Sequence, residues 1–125
     1  IFGVCPDPVG IVMEYVPGGN LLHCLANEKI ILTPEKVIKF AKDIASGMSH
    51  LHAENIIHLD LACRNLLVAF VGTSEQIIKI TDFGLSRIIE SDTYKASKEA
   101  TFPIRWTAPE TLTLSIVSRA SDVWS

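Results

Sequence analysis

A chain of 125 residues has room for one domain-sized core but not for two lobes of ordinary size, so it reads as one compact unit or as a piece of something larger. With 48% hydrophobic and 20% charged residues, it falls among soluble globular chains and away from disordered ones. A net charge of −3 carries no basic footprint for nucleic acid or an anionic membrane, so neither is expected as a partner. Cys5, Cys24 and Cys63 are scattered and odd in number, without CxxC spacing, which favours a reducing compartment and a cytoplasmic location. The apolar runs Leu66 to Val71 and Ile77 to Ile80 are far shorter than the roughly 20 residues of a membrane helix, and Ile1 to Val4 lacks the features of a signal peptide. There is no initiator Met, and Asp122-Val123-Trp124-Ser125 stops inside an apparent helix, so neither end reads as natural.

Val9 to Tyr15 is apolar and rich in β-branched residues between Pro8 and Pro17-Gly18-Gly19, the pattern of a buried strand followed by a turn. Asn20 can cap a short helix running to about Glu28. Thr33-Pro34 announces a longer helix, since Thr accepts from unpaired helix N–H groups and Pro at the first position loses nothing. Its positions Val37, Ile38, Ala41, Ile44, Ala45, Met48 and Leu51 share one face, which is predicted to be core. Short strands follow at Ile56-Ile57, Leu66 to Val71 and Ile77 to Thr81, the last two joined as a hairpin by a turn containing Gly72, Thr73 and Ser74. Asp82 to Glu110 is long and without a clear period, which in a compact protein is a functional or a disordered segment.

The chemistry is concentrated around that hairpin. His58-Leu59-Asp60-Leu61-Ala62-Cys63-Arg64-Asn65 precedes its first strand, and Asp82-Phe83-Gly84 follows its second. The hairpin can therefore bring Asn65 and Asp82 together as hard oxygen ligands suited to Mg²⁺ against phosphate oxygens. Asp60 is then available to take the proton of an incoming hydroxyl, or to orient it. A lone Asp in a loop is ordinarily a turn or cap residue, and only the joint context argues otherwise.

With Ala108-Pro109-Glu110 downstream, three signatures stand in the order they take in the protein kinases, which this chain resembles. Ala62-Cys63-Arg64-Asn65 and Phe102 to Glu110 look like the catalytic loop and the substrate-docking segment of tyrosine kinases. The resemblance runs over nearly the whole chain. It implies an α+β, protein-kinase-like fold: residues 1–16 are the end of the small lobe and the hinge, and residues 17–125 an incomplete, mainly helical large lobe. It implies an ATP-dependent transferase acting on protein tyrosine, with ATP and Mg²⁺ (or Mn²⁺) as cofactors and a protein carrying an acceptor tyrosine as partner. Asp60 and Arg64 would be catalytic, and Asn65 and Asp82 would hold the metal. Met13 (the gatekeeper), Glu14, Tyr15, Val16 and Leu67 would meet the nucleotide. His58, Phe83, Gly84, Glu110 and Asp122 would support the structure, Asp122 by bracing the catalytic-loop backbone. Tyr94 would be an activating phosphorylation site, or no more than an exposed loop tyrosine.

Other residues have blander readings. His23, His50 and His52 have no partner motif and are expected at the surface. Cys63, beside Arg64, is a small buried filler rather than a reactive thiol, and Trp106 and Trp124 are packing residues. Leu59 departs from the family, in which an Arg there pairs with the phosphorylated activation loop, and so puts control in doubt. The hairpin from Ala69 to Ile77 is longer than common and carries no implied function. Nothing matches a Gly-rich loop, a strand Lys or its partner Glu, so the isolated chain is expected neither to phosphorylate tyrosine nor to fold stably. The rival to an enzyme is a pseudokinase, a scaffold that keeps the fold without turnover.

Overall fold

The computed structural model describes residues 1–73, 75–97 and 101–125, and the chain begins in it with a hairpin of β1 (Gly3–Pro6) and β2 (Val9–Val12), with a cis Asp7–Pro8 bond in the turn. The strand expected from Val9 to Tyr15 is corrected in length and in burial. Pairing ends at Val12, and Val9, Ile11 and Met13 are exposed. A two-stranded ribbon buries a face only where another layer covers it, and among the described residues no further strand joins this one.

Helix α1 (Leu21–Ala26) starts where the Asn20 side chain accepts from the His23 N–H at 2.8 Å, and it ends at Asn27, before the expected Glu28. Gly18 precedes it at a close approach: a Cβ there would come within 2.0 Å of the Val68 carbonyl oxygen. Helix α2 (Pro34–Ala53) is capped by Thr33, whose Oγ1 accepts from the Lys36 N–H at 3.3 Å, with Pro34 in its first turn. Glu35, in that turn, titrates below the ordinary carboxylate range because it accepts from its own backbone and from Thr33.

The predicted core face of α2 is also corrected. Phe40 and Met48 are buried, Ile44 and Leu51 are half-buried, and Val37, Ile38, Ala41 and Ala45 are exposed. Besides those buried apolar side chains, the helix docks through polar groups. Asp43 accepts from the Ile78 N–H at 3.1 Å, and Lys39 reaches Asp43 and the Gln76 carbonyl.

Beyond α2 lie β3 (Ile56–Ile57), a 3₁₀ turn at Cys63–Asn65, β4 (Leu66–Ala69) and β5 (Ile77–Ile80). The β4–β5 register pairs Leu66 with Ile80 and Ala69 with Ile77. Each strand is shorter than predicted: Phe70, with φ +57, turns the chain out after β4, and pairing stops at Ile80. In the turn Thr73 Oγ1 donates to the Phe70 carbonyl at 2.8 Å, while Ser74 lies outside the described residues. The main core unites α1, α2 and this hairpin: Leu21, Cys24, Ile30, Phe40, Leu66, Val68 and Ile78. Each large side chain buried there contributes about 1.5–3 kcal/mol.

The segment without a clear period is built of short pieces: β6 (Arg87–Ile88), β7 (Thr93–Lys95), a 3₁₀ turn at Ile104–Trp106 and α3 (Pro109–Leu114). They are followed by β8 (Ile116–Ser118) and α4 (Arg119–Trp124). Strand β6 pairs with β3, and β7 with β8, which joins residues distant in sequence. A second cluster of Ile57, Ile89 and Val117, flanked by Leu59 and Phe102, fixes this segment against the loop after β3. In α4 only Ser121 and Asp122 are buried; Val123 and Trp124 face solvent, so Trp124 is not the packing residue expected.

Candidate active site

The β4–β5 hairpin does what its position in the sequence suggests. The Thr81 N–H donates to the Asn65 carbonyl at 3.0 Å, which places Asp82 one residue beyond a hydrogen bond to Asn65. Asn65 is buried, and its amide donates to the Asp60 carbonyl oxygen at 2.8 Å and to the Asp60 carboxylate at 2.7 Å. Both donors of that amide are thus used, and its oxygen accepts from no group among the described residues. Arg64 donates to the other Asp60 carboxylate oxygen, and its guanidinium lies over the Trp106 ring, 4.7 Å from the centroid. Asp60 therefore keeps spare acceptor positions on oxygens held at both ends.

His58, fully buried, organises the loop from beneath. The Asp60 N–H donates to its Nδ1 at 3.2 Å, so Nε2 carries the proton and donates to the Thr81 carbonyl at 3.1 Å. Its ring packs on Phe83 at 5.3 Å between centroids, and its carbonyl accepts from Ser86 Oγ at 3.2 Å. Asp122 accepts from the N–H groups of His58 and Leu59, both at 2.8 Å, so the brace expected from α4 joins the residues just before Asp60. Those bonds hold Leu59 at φ +65, a conformation that side chains with a Cβ rarely take.

Asp82 shares φ +65 and accepts from the Gly84 N–H at 3.3 Å. It lines a cleft of about 470 Å³ with Met13, Glu14, Val16, Leu67, Phe83 and Gly84. Tyr15 is 85% exposed and does not line it. Glu110 accepts from Ser121 Oγ at 3.2 Å. Tyr94, half-exposed in β7, lines a separate cavity of about 240 Å³ with Leu59 and Arg87.

Two sequence readings are corrected by this geometry, and a third is extended. Cys63 is exposed rather than buried filler, since the 3₁₀ turn directs Asn65 inward and Cys63 outward. His52 is not a surface residue: its Nε2 lies 2.9 Å from Asp122 Oδ2, with the side chain only 17% exposed. Trp106, read as packing, also covers Arg64. The sequence carries no signal for the His52 contact, whose partner is 70 positions away. Lys79, which pairs with Glu14 across the cleft, was likewise unmarked.

A loop Asp held by an Arg and an Asn, one hairpin from an Asp-Phe-Gly turn that lines a cleft, is the arrangement of a protein kinase catalytic domain. Residues 1–125 match the protein tyrosine and serine/threonine kinase family, and the chain belongs to it, with its α+β, protein-kinase-like fold. Its similar relatives are named as tyrosine kinases. It is 46% identical to tyrosine-protein kinase abl-1 of Caenorhabditis elegans, 44% to tyrosine-protein kinase Fer of Rattus norvegicus and 43% to tyrosine-protein kinase SRK2 of Spongilla lacustris. All of this chain is covered in each case, against 10%, 15% and 34% of those proteins. No described helix is long and apolar enough to cross a membrane.

Proposed function

We propose that the protein containing these residues transfers the γ-phosphate of ATP to a tyrosine hydroxyl of a protein substrate, in the cytoplasm. The observation that carries this reading is the Asp60 carboxylate, held between Arg64 and the Asn65 amide. One of its spare acceptor positions takes the hydroxyl proton as the tyrosine oxygen bonds to phosphorus and the bond to ADP breaks. Arg64, covered by Trp106, keeps that carboxylate aimed. The backbone near Glu14 and Val16 meets adenine, with Leu67 beneath it and Met13 at the back.

The donor chemistry fits Mg²⁺ or Mn²⁺: a free amide oxygen on Asn65 and the exposed carboxylate of Asp82 are hard ligands. Among the described residues no group of three or more His, Cys, Asp or Glu gathers for a metal, which suits an ion shared with phosphate oxygens rather than caged by protein. Asn65 and Asp82 would hold that ion, which neutralises phosphate charge when bound. Residues 1–16 are then the end of the small lobe and the hinge, and residues 17–125 belong to the large lobe.

Tyr94 is the regulatory acceptor, beside Arg87 and Leu59. The 125 residues alone are inactive and unstable, since exposed apolar side chains along α2 and β2 need partners. Leu59 favours one second reading, a pseudokinase that binds without turnover. Tyrosine phosphorylation by the full-length protein with ATP and Mg²⁺, compared with Asp60→Asn and Asp82→Asn, separates the readings. Turnover should drop by about 10²–10⁴-fold in Asp60→Asn, the span general-base groups supply. Equal activity in all three would refute the assignment, and nucleotide binding with no turnover even in the wild type would establish the scaffold.

A further inference from the structure

Among the described residues, one ion pair is the only hydrogen-bonded or charged tie between residues 1–15 and the rest of the chain. Lys79 Nζ donates to both carboxylate oxygens of Glu14, at 2.6 and 2.7 Å. The two residues line the same 470 Å³ cleft and come from different segments. Glu14 follows Met13 in the segment after β2, and Lys79 lies on β5, just upstream of Asp82. Among the described residues the β1–β2 hairpin has no strand partner in the body of the chain. Beyond the pair, the segment is anchored at Val16, which is buried and whose carbonyl accepts from the Gly19 N–H at 3.4 Å. A segment held at one end can swing, and a second attachment removes that freedom.

We propose that the Glu14–Lys79 pair is a strap that fixes the hinge segment over the cleft, and that Lys79 is a positioning residue for nucleotide affinity. This rests on the reading of the cleft as the nucleotide site. With the strap closed, the backbone around Glu14 and Val16 is preset against Leu67 and against the strand that carries Asp82. With it open, nucleotide has to order that segment as it binds, and the ordering cost reduces affinity. The chemical step, set by Asp60, Arg64 and Asn65 on the other side of the hairpin, is not the step that suffers. Both side chains are half-exposed, so the effect is modest and is screened by salt.

The test is a double-mutant cycle in the full-length protein. Lys79→Met and Glu14→Gln should each weaken MgATP binding by about two- to fivefold, the factor an ion pair of this exposure supplies, and in Lys79→Met kcat should stay within about twofold of wild type. The swapped pair Glu14→Lys with Lys79→Glu should recover most of the loss, and high salt should erase the difference between wild type and single variants. Hydrogen exchange of residues 10–17 without nucleotide should quicken in both single variants, a readout independent of whether the cleft takes ATP. Unchanged affinity and exchange in the single variants would overturn the proposal. So would a swapped pair as weak as Lys79→Met alone, which would mean that Lys79 acts on the nucleotide directly. A wild-type protein that binds no MgATP would refute the nucleotide reading instead, and exchange would then decide the strap alone.

Discussion

Replacing Asp122 by alanine should cost a large part of the stability, because three donors converge on a carboxylate that is 2% exposed. A buried donor left without an acceptor costs about 1–3 kcal/mol. The His52 ring, at 17% exposure, can turn to water, so the two backbone N–H groups decide the sum. They set a loss of about 2–6 kcal/mol for Asp122→Ala, against a total stability of about 5–15 kcal/mol for a typical domain. Asp122→Asn keeps one acceptor oxygen and should cost about half as much, since its NH₂ then faces one of the donors.

Activity should fall further than stability explains. Leu59 is held at φ +65, which costs a residue with a Cβ about 1–2 kcal/mol, and the Asp122 bonds offset that strain. Without them Leu59 can relax to negative φ, and Asp60, the next residue, moves with it. Urea unfolding of the intact enzyme, with kcat measured under conditions where each variant is fully folded, separates the two effects. A stability loss below about 1 kcal/mol would refute the reasoning, because it would mean that the His58 and Leu59 donors find other acceptors.

Restoring an arginine at position 59 tests the control of the Tyr94 cavity. Leu59→Arg should make activity depend more strongly on Tyr94 phosphorylation than in wild type, where Arg87 is the one basic residue among the described ones that line that space, as read by comparing phosphorylated protein with Tyr94→Phe. Equal dependence in the two proteins would show that Arg87 suffices. Gly18→Ala should destabilise by about 3 kcal/mol or more in chemical denaturation, because its Cβ would meet the Val68 carbonyl oxygen, which is backbone and cannot turn aside. Val68→Ala, at a fully buried site in the main core, should cost about 2 kcal/mol in the same assay.

What could be read in the sequence was local. Asn20 and Thr33 cap helices where expected, since a cap is a hydrogen bond three residues long. The hairpin that carries Asn65 to Asp82 was visible because strand, turn and strand are contiguous. The readings that failed depended on what packs where. The apolar spacing of α2 marks a face, but spacing does not say what covers it, and here Val37 and Ile38 remain exposed. Likewise β2 has the composition of a buried strand and only one strand beside it.

The candidate site divides in the same way. Asp60, Arg64 and Asn65 lie within one loop turn of each other, so their residue types and spacing marked all three, while the bonds that Arg64 and Asn65 make to Asp60 emerge only from the structure. Their supports come from far along the chain: Asp122 with His52 beneath the loop, Trp106 over Arg64, and Lys79 across from Glu14. Such pairs have no sequence period, because they exist only once the β4–β5 hairpin and the β3–β6 and β7–β8 pairings have closed the fold. The consequence is physical as well as interpretive. The reacting groups are specified by a few neighbouring residues, but the precision with which they are held depends on segments that reach them only through tertiary structure. Substitutions at His52, Trp106 or Lys79 should therefore change how well the site is held while leaving its chemistry in place.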